Sequence, residues 1–313
     1  MKQLRILVVG SINMDLCLET DRVPAPGEAL MCSKEYNYIN GGKGANQAVA
    51  AMRLGAEATF VGKVGNDTFG NELTKALSDI GVRTDYLHKE DGIKTGFVIV
   101  IIEDNGQNRM LVYPESNMKL SKEDIDAAMR EKYDAMIIQL EIPKDIVIYA
   151  CHVAREKNLP FFVDAGPAMD FPIEEIPGAE ILSPNETETY AMCKLSVKDI
   201  HTAEAAARIL MERSKAKYIV IKSGEHGAYL YDGKNIKHIP AYEVTAIDPT
   251  AAGDAFTAAM TIRYLQCGDI ETAMKFAHAA GAVAVTRVGA QPSIPTLAEV
   301  EEFQRSAVSR QSK

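Results

Sequence analysis

The chain has 313 residues, room for one large α/β domain or two smaller ones, and its 47% hydrophobic and 25% charged content reads as globular. With 34 basic against 43 acidic residues it carries a net charge of −9 and no Lys/Arg run, which gives a nucleic-acid partner no support. Its five scattered cysteines (Cys17, Cys32, Cys151, Cys193, Cys267) make no C-x-x-C pair, no window approaches the ~20 apolar residues of a membrane span, and the N-terminus lacks a signal-peptide pattern, so free thiols, no membrane contact and a cytoplasmic location are expected.

Leu4 to Val9 is an unbroken apolar run ending at Gly10-Ser11, the pattern of a strand buried on both faces. It delivers Asn13 and Asp15 past the strand's carboxyl end, where open α/β sheets place ligands. From Leu16 to Asn40 the pattern breaks at Pro24, Pro26 and Gly27, and pieces such as Tyr36 to Ile39 read as edge or hairpin strands. Gly41-Gly-Lys-Gly-Ala-Asn46 then opens a helix expected from Gln47 to Leu54. It is not a Walker loop, because Asn37 stands at the leading glycine and Gly44 follows Lys43.

A strand (Ala58–Val64) and a helix (Thr68–Ile80, stopped by Gly81) follow. Thr95–Glu103 and Arg109–Tyr113 flank Asp104-Asn-Gly106, a hairpin signal. The two β-rich inserts, at about 16–40 and 94–113, suggest a small accessory sheet, able to close as a lid or to extend the main sheet. Beyond them strands and helices alternate. Expected are a strand near Ala135–Leu140, a helix Lys144–Lys157, strands Pro160–Val163 and Ile181–Leu182, and a helix from Glu186. Then come a helix Ala203–Ser214, a strand Tyr218–Ile221, a hairpin about Asp232-Gly233 and a helix Ile270–Val285 capped by Asp269. A last helix is expected after Pro295 to about Phe303, with the tail frayed from Gln304. This rhythm predicts a mostly parallel central sheet with helices on both faces, Rossmann-type, plus the small β lid, within a single domain spanning 1–313. Polar residues recur at strand ends: Asn13, Asp15, Glu141, Asp164, Asn185 and Asp254. Six feeding one sheet edge point to a site.

Asp248-Pro-Thr-Ala-Ala-Gly-Asp-Ala-Phe256 stands out. Small residues at a helix entry let an anion approach unpaired amides and the positive end of the dipole. Asp254 would sit beside that charge, able to take a proton from a hydroxyl, which suits phosphoryl transfer to an alcohol. The same nine residues fit a plain helix cap as well.

Five motifs taken in order change that balance: Gly10-Ser-Ile-Asn-Met-Asp15, Gly41-Gly-Lys-Gly-Ala-Asn-Gln-Ala48, Pro184-Asn-Glu-Thr-Glu188, Thr250-Ala-Ala-Gly-Asp254 and Gly289-Ala-Gln-Pro-Ser293. As a set the chain resembles the ribokinase family of carbohydrate kinases over nearly its whole length. The resemblance implies a β lid that also forms a homodimer contact, and ATP-dependent phosphorylation of D-ribose at its 5-hydroxyl. It makes Asp254 the base and the amides of Ala251, Ala252 and Gly253 an anion hole. It gives the sugar Asn13, Met14, Asp15, Gly41, Gly42, Lys43, Gly44, Ala45, Asn46, Glu141 and Asp254. It gives the nucleotide Asn185, Lys222, Ser223, Gly224, Glu225, His226, Gly227, Gly253, Asp254 and His278. Glu188 would act on Mg²⁺ through water, and Asp248, Thr250, Ala284, Arg287, Gly289 and Ser293 would hold K⁺. Short carboxylates and amides suit a ring of hydroxyls, and a lone acid suits an ion that keeps most of its water.

The chain departs from its relatives in four places. Lys222-Ser-Gly stands where many have Thr-Leu-Gly, Glu115-Ser-Asn117 where Gly-Ala-Asn is usual, Asp164 where Asn is common, and Pro249 where Thr is common. By this reading Lys222 is either a nucleotide contact or a surface lysine. Other acceptors (deoxyribose, fructose, a nucleoside) and a catalytically silent sugar sensor remain the alternative functions.

Overall fold

The computed structural model describes residues 3–104 and 107–311. Strand β1 (Arg5–Val9) passes into two lid strands, β2 (Asn13–Thr20) and β3 (Tyr36–Gly41), before helix α1 (Lys43–Arg53). Then come β4 (Glu57–Gly65), α2 (Thr68–Ile80), β5 (Arg83–Glu90) and two more lid strands, β6 (Gly96–Glu103) and β7 (Asn108–Tyr113). The middle of the chain holds α3 (Lys122–Ala128), β8 (Ala135–Gln139), α4 (Lys144–Glu156), β9 (Phe161–Asp164), β10 (Ile181–Ser183) and α5 (Glu186–Cys193). It continues with α6 (Ile200–Ser214), β11 (Tyr218–Lys222), β12 (Ala228–Tyr231) and β13 (Ile236–Ile239). Four helices close it: α7 (Ala252–Cys267), α8 (Ile270–Val285), the short α9 (Ala290–Ser293) and α10 (Leu297–Gln311).

Nine strands form the main sheet in the order β13-β12-β11-β10-β9-β8-β1-β4-β5. From β11 to β5 every pairing is parallel; only β12 and β13 add antiparallel pairs at one edge. The apolar run of β1 splits by alternation. Ile6 and Val8 join the core beneath α1, α7 and α8, whereas Leu7 and Val9 join the core beneath α4 and α6. The expectation of a parallel sheet covered on both faces therefore holds. Starting from β1 the chain builds β4 and β5 on one side and β8 onward on the other, so the strand order reverses between β1 and β8, the point at whose carboxyl ends open α/β sheets bind ligands.

The accessory sheet is separate and mixed, in the order β3-β2-β6-β7, with β2 parallel to β6 and antiparallel pairs outside. Asn105 and Gly106 of the expected hairpin lie outside the described residues, but the flanking strands pair as expected. Asp67 ties the lid to the body. It caps α2 by accepting from the Gly70 amide at 2.7 Å, and it also accepts from the Thr95 amide at 2.8 Å at the foot of β6.

Several boundaries differ from the sequence expectation. α1 begins at Lys43, not Gln47, because Gly42 at φ 90° serves as its N-cap; the Lys43–Asn46 segment is thus the helix's first turn. β5 went unrecognised because it is a polar edge strand in which only Leu87 is fully buried, held by its pairing to β4. α3 carries a reciprocal capping box between Ser121 and Asp124 that was also passed over. α10 does not fray at Gln304 but continues to Gln311.

Candidate active site

Pairing within the lid brings the first polar residues together. Asn13 lies opposite both Gly41 and Gly96, and Asp15 opposite Ile39, so the start of β2 faces the entry to α1. The Asp15 carboxylate occupies the space a side chain at Gly41 would need; a Cβ there would stand 2.1 Å from Oδ2. Asn117 sets the Asn13 amide: its Nδ2 donates to Asn13 Oδ1 at 2.7 Å while its Oδ1 accepts from the Ile12 amide at 2.9 Å. The Asn13 nitrogen is thereby turned the other way, as a donor.

Glu141, beyond β8, accepts a short hydrogen bond from the Ser11 hydroxyl and a longer one, 3.4 Å, from the Lys43 amide. Asp15 Oδ1 is sheltered and has no partner. Burial, then the nearby charges of Glu141 and Asp254, push the Asp15 carboxyl up to about 7. Met14, Gly44 and Ala45 serve differently from the residues beside them. All three are buried; Gly44 packs on the Gly10–Ser11 backbone and the Ala45 amide bonds Ser11 O at 2.9 Å, so they shape the floor and offer no polar side chain.

Asp254 is in the first turn of α7 and only 4% exposed. Asn46 Nδ2 donates to its Oδ2 at 2.9 Å and Gln47 Nε2 to its Oδ1 at 3.2 Å. Burial lifts its pKa to about 6; Lys43 works against that rise, the Asp164 charge adds to it, and the two amides reduce it. The plain-cap reading fails: both oxygens bond to side chains of α1, and α7 has no side-chain cap.

The helix begins after Ala251, which adopts a left-handed φ of 59°. Of the three anion-hole candidates, the Ala252 amide donates back to Pro249 O at 3.2 Å, while Gly253 is exposed in the first turn, where helix amides lack internal acceptors.

Lys43 is the cation at the centre. Burial disfavours its charge, but Asp254, Asp164, Glu141 and Glu188 outweigh burial and hold the ammonium firmly protonated. Gly166 marks where it meets Glu188: a Cβ there would lie 2.7 Å from both Glu188 Oε1 and Lys43 Cε.

Glu188 Oε2 accepts from the Asn185 amide at 2.7 Å and the Asn185 side chain returns a bond from the Glu188 amide at 2.8 Å, a reciprocal box that fixes α5. Among the described residues no group of three or more metal-ligating side chains occurs. One nearly buried carboxylate with its Oε1 free of the box fits an ion completed by phosphate and water.

The nucleotide candidates gather on the far flank. Ser223 Oγ donates to Glu186 Oε1 at 2.6 Å, and Gly224–His226 form a single 3₁₀ turn with Glu225 exposed. His238 Nε2 lies 2.6 Å from His226 O. His278 on α8 packs edge-on against Phe256 at 5.0 Å with Nε2 unpartnered, and burial, then His238, push its pKa down to about 4. Lys222 is not a surface lysine. Its ammonium turns into the protein and bonds Asp164 Oδ1 at 2.7 Å, so two departures from the relatives' pattern are partners.

A second loop cluster forms at the foot of the lid. Asp248 accepts from the amides of Thr250 and Gly289, each at 2.8 Å, and Ser293 Oγ donates to Ala290 O at 2.8 Å and lies 3.5 Å from Thr250 O. Ala284 and Arg287 meet through the backbone, the Arg287 amide donating to Ala284 O at 3.1 Å. The Arg287 side chain turns outward to Glu299 at 2.6 Å, so only its backbone faces the loop. α9 packs against β3, so this loop and the lid touch.

Sequence reasoning passed over Ser11, Gln47 and Gln139. Gln47 stands inside the 41–48 motif, and its position one step after Asn46 in the first turns of α1 was the available signal.

The family model for pfkB carbohydrate kinases matches residues 3–297. The chain belongs to the pfkB family of carbohydrate kinases. This kinase is 35% identical over 300 residues to a ribokinase of Bacillus subtilis, covering 95% of this chain and 98% of that one. It is 32% identical over 301 residues to a deoxyribokinase of Salmonella typhimurium, with 95% and 98% covered. It also matches a bifunctional ribokinase/ribose-5-phosphate isomerase A of Fructilactobacillus sanfranciscensis at 34% identity over 295 residues, 93% of this chain but 54% of that longer protein. Among solved structures it superimposes on Arabidopsis thaliana ribokinase complexed with ribose and ATP with a TM-score of 0.87, 30% identity and coverage of 96% and 99%.

Proposed function

We propose that this kinase transfers the γ-phosphoryl group of ATP to the 5-hydroxyl of D-ribose, with Asp254 as the base, in a single domain whose lid strands cover the sugar. The observation that carries the reading is Asp254 itself: a buried carboxylate at a helix N-terminus, gripped by two amides, beside Lys43 and facing the Asn13, Asp15 and Glu141 set. Asn13 and Asn46 offer amides, and Asp15 and Glu141 offer acceptors, to a polyhydroxyl ring. Asp254 accepts the proton of the hydroxyl as the oxygen attacks phosphorus. The first-turn amides of α7 and the Lys43 charge stabilise the negative charge that builds on the transferring group. Mg²⁺ would be held near Glu188 and would neutralise phosphate charge. Asn185, the Lys222–Gly227 turn and His278 lie on one flank, which supports a nucleotide there.

We further infer a K⁺ site in the 248–250 and 284–293 loops, supported by the meeting of Thr250 O and Ser293 Oγ. A homodimer through the lid is supported by its exposed Tyr36, Tyr38, Met110, Leu111 and Val112, and sedimentation velocity would read it directly. No helix among the described residues is long and apolar enough to cross a membrane.

The test is a product screen with ATP and a panel of sugars, run on the wild type and on Asp254→Asn. Ribose should be the preferred acceptor, and the variant should lose about 10²–10⁴-fold in kcat while still binding ribose. Preferred turnover of deoxyribose, whose kinase is a comparable relative, would replace the substrate, and near-normal activity of the variant would remove Asp254 from its role.

A further inference from the structure

Gln47 holds two acids at once. Its Nε2 donates to Asp164 Oδ2 at 2.8 Å and to Asp254 Oδ1 at 3.2 Å. The amide cannot turn over, because its Oε1 accepts from Gln139 Nε2 at 2.5 Å, and Gln139 is fully buried at the end of β8. Asp164 is likewise fully buried and Asp254 nearly so, and the two carboxylates share one amide. Such a pair resists carrying two negative charges. Lys222 resolves the conflict by closing on the other oxygen of Asp164 at 2.7 Å.

We propose that Lys222 and Asp164 are positioning residues that act through Gln47, cancelling a charge behind Asp254 so that the base stays ionised and aimed. The proposal rests on the reading of Asp254 as the base, and it gives two unusual residues, 58 positions apart, one shared task. The charged and titratable groups around Asp254 fit it. Lys43 and the amides of Asn46 and Gln47 face it from α1, Asp15 from β2 and Asp164 from β9, with Glu141 and Glu188 beyond Lys43. From α8, His278 packs on neighbouring Phe256 and carries no charge at neutral pH. Lys43 faces four carboxylates, and Lys222, the second cation of the cluster, faces two of them, Asp164 and Glu188. Burial opposes the charge of Asp164, yet Lys222 and Lys43 overcome it and keep that carboxyl below its ordinary range.

The test uses Lys222→Gln, which keeps a donor to Asp164 without the charge, and the double variant Lys222→Thr with Asp164→Asn, which removes both charges together. Two readouts are taken: the pH profile of kcat, and the titration of the Asp254 carboxyl by ¹³C NMR without substrates, its signal identified by its loss in Asp254→Asn. Lys222→Gln should move both the acid limb and the carboxyl titration up by about 1 pH unit, with kcat at pH 7 lowered about twofold and at pH 6 about fivefold, and KM for ATP little changed. The double variant should return both toward the wild type. Unmoved titrations in Lys222→Gln, or a change confined to KM for ATP, overturn the proposal and make Lys222 a nucleotide contact. If the wild type phosphorylates no sugar, the assigned reaction fails, and the carboxyl titration still decides the charge coupling.

Discussion

Replacing Asp15 by Asn should stabilise the protein while weakening its hold on sugar. The Asp15 carboxyl sits at about 7 in the fold against an ordinary 3.8, because burial and then Glu141 and Asp254 disfavour its charge. A carboxyl raised in this way favours the fold when protonated: the advantage is complete below about pH 4 and is lost as pH climbs to about 7. At pH 8 the ionised side chain therefore costs the fold up to about 4 kcal/mol, from a rise of roughly three pH units at about 1.4 kcal/mol each. Only Oδ1 is sheltered and the residue keeps some exposure, so solvent screening brings the expected gain from Asn to about 1–2 kcal/mol. That gain corresponds to a Tm higher by about 1.5–3 °C in a chain of this size. Melts of both proteins at pH 8 and pH 4 provide the assay, and the difference should shrink to less than half at pH 4. Equal stability at pH 8, or a gain of the same size at both pH values, would refute the argument. Ribose titrations by calorimetry should show the opposite trend, with affinity reduced at least tenfold by loss of a charged acceptor.

Three further outcomes follow from the geometry. Asn117→Ala leaves the buried Ile12 amide without its acceptor and frees Asn13, so it should cost about 1–3 kcal/mol in denaturant melts and weaken ribose more than ATP; equal effects on both ligands would count against the Asn13 assignment. The wild-type kcat/KM should rise with pH along a limb near 6, because Asp254 must lose its proton to act, and a flat profile from pH 5 to 8 would contradict its buried environment. K⁺ should accelerate turnover more than Na⁺, and Asp248→Asn should blunt the difference by loosening the Gly289 contact; a rate indifferent to the cation would dismiss the loop as an ion site.

The mostly parallel sheet, the separate lid, the span of α2 and the place of Asp254 in a helix's first turn were all readable from the chain. Each follows from local signals: continuous apolar runs, stop residues, and small residues at a helix entry. The polar residues at strand ends were readable as a set for the same reason, since a parallel sheet puts those ends on one edge. Edge strand β5 was hidden because its pairing to β4, not its composition, makes it a strand.

What the sequence by itself determined was which residue types stand at the carboxyl ends of the strands. Tertiary structure alone decided who meets whom. Asn46 meets Asp254 across 208 positions, Gln47 meets Asp164 across 117, and Asn117 meets Asn13 across 104. Lys222 could be read along the chain as a surface lysine or a nucleotide contact, and only the sheet order, which sets the ends of β9 and β11 on either side of the short β10, made it the partner of a buried acid. Hydrogen bonds and charges act over a few ångströms of space whatever their separation in sequence, so a residue's type can be read locally but its partner cannot.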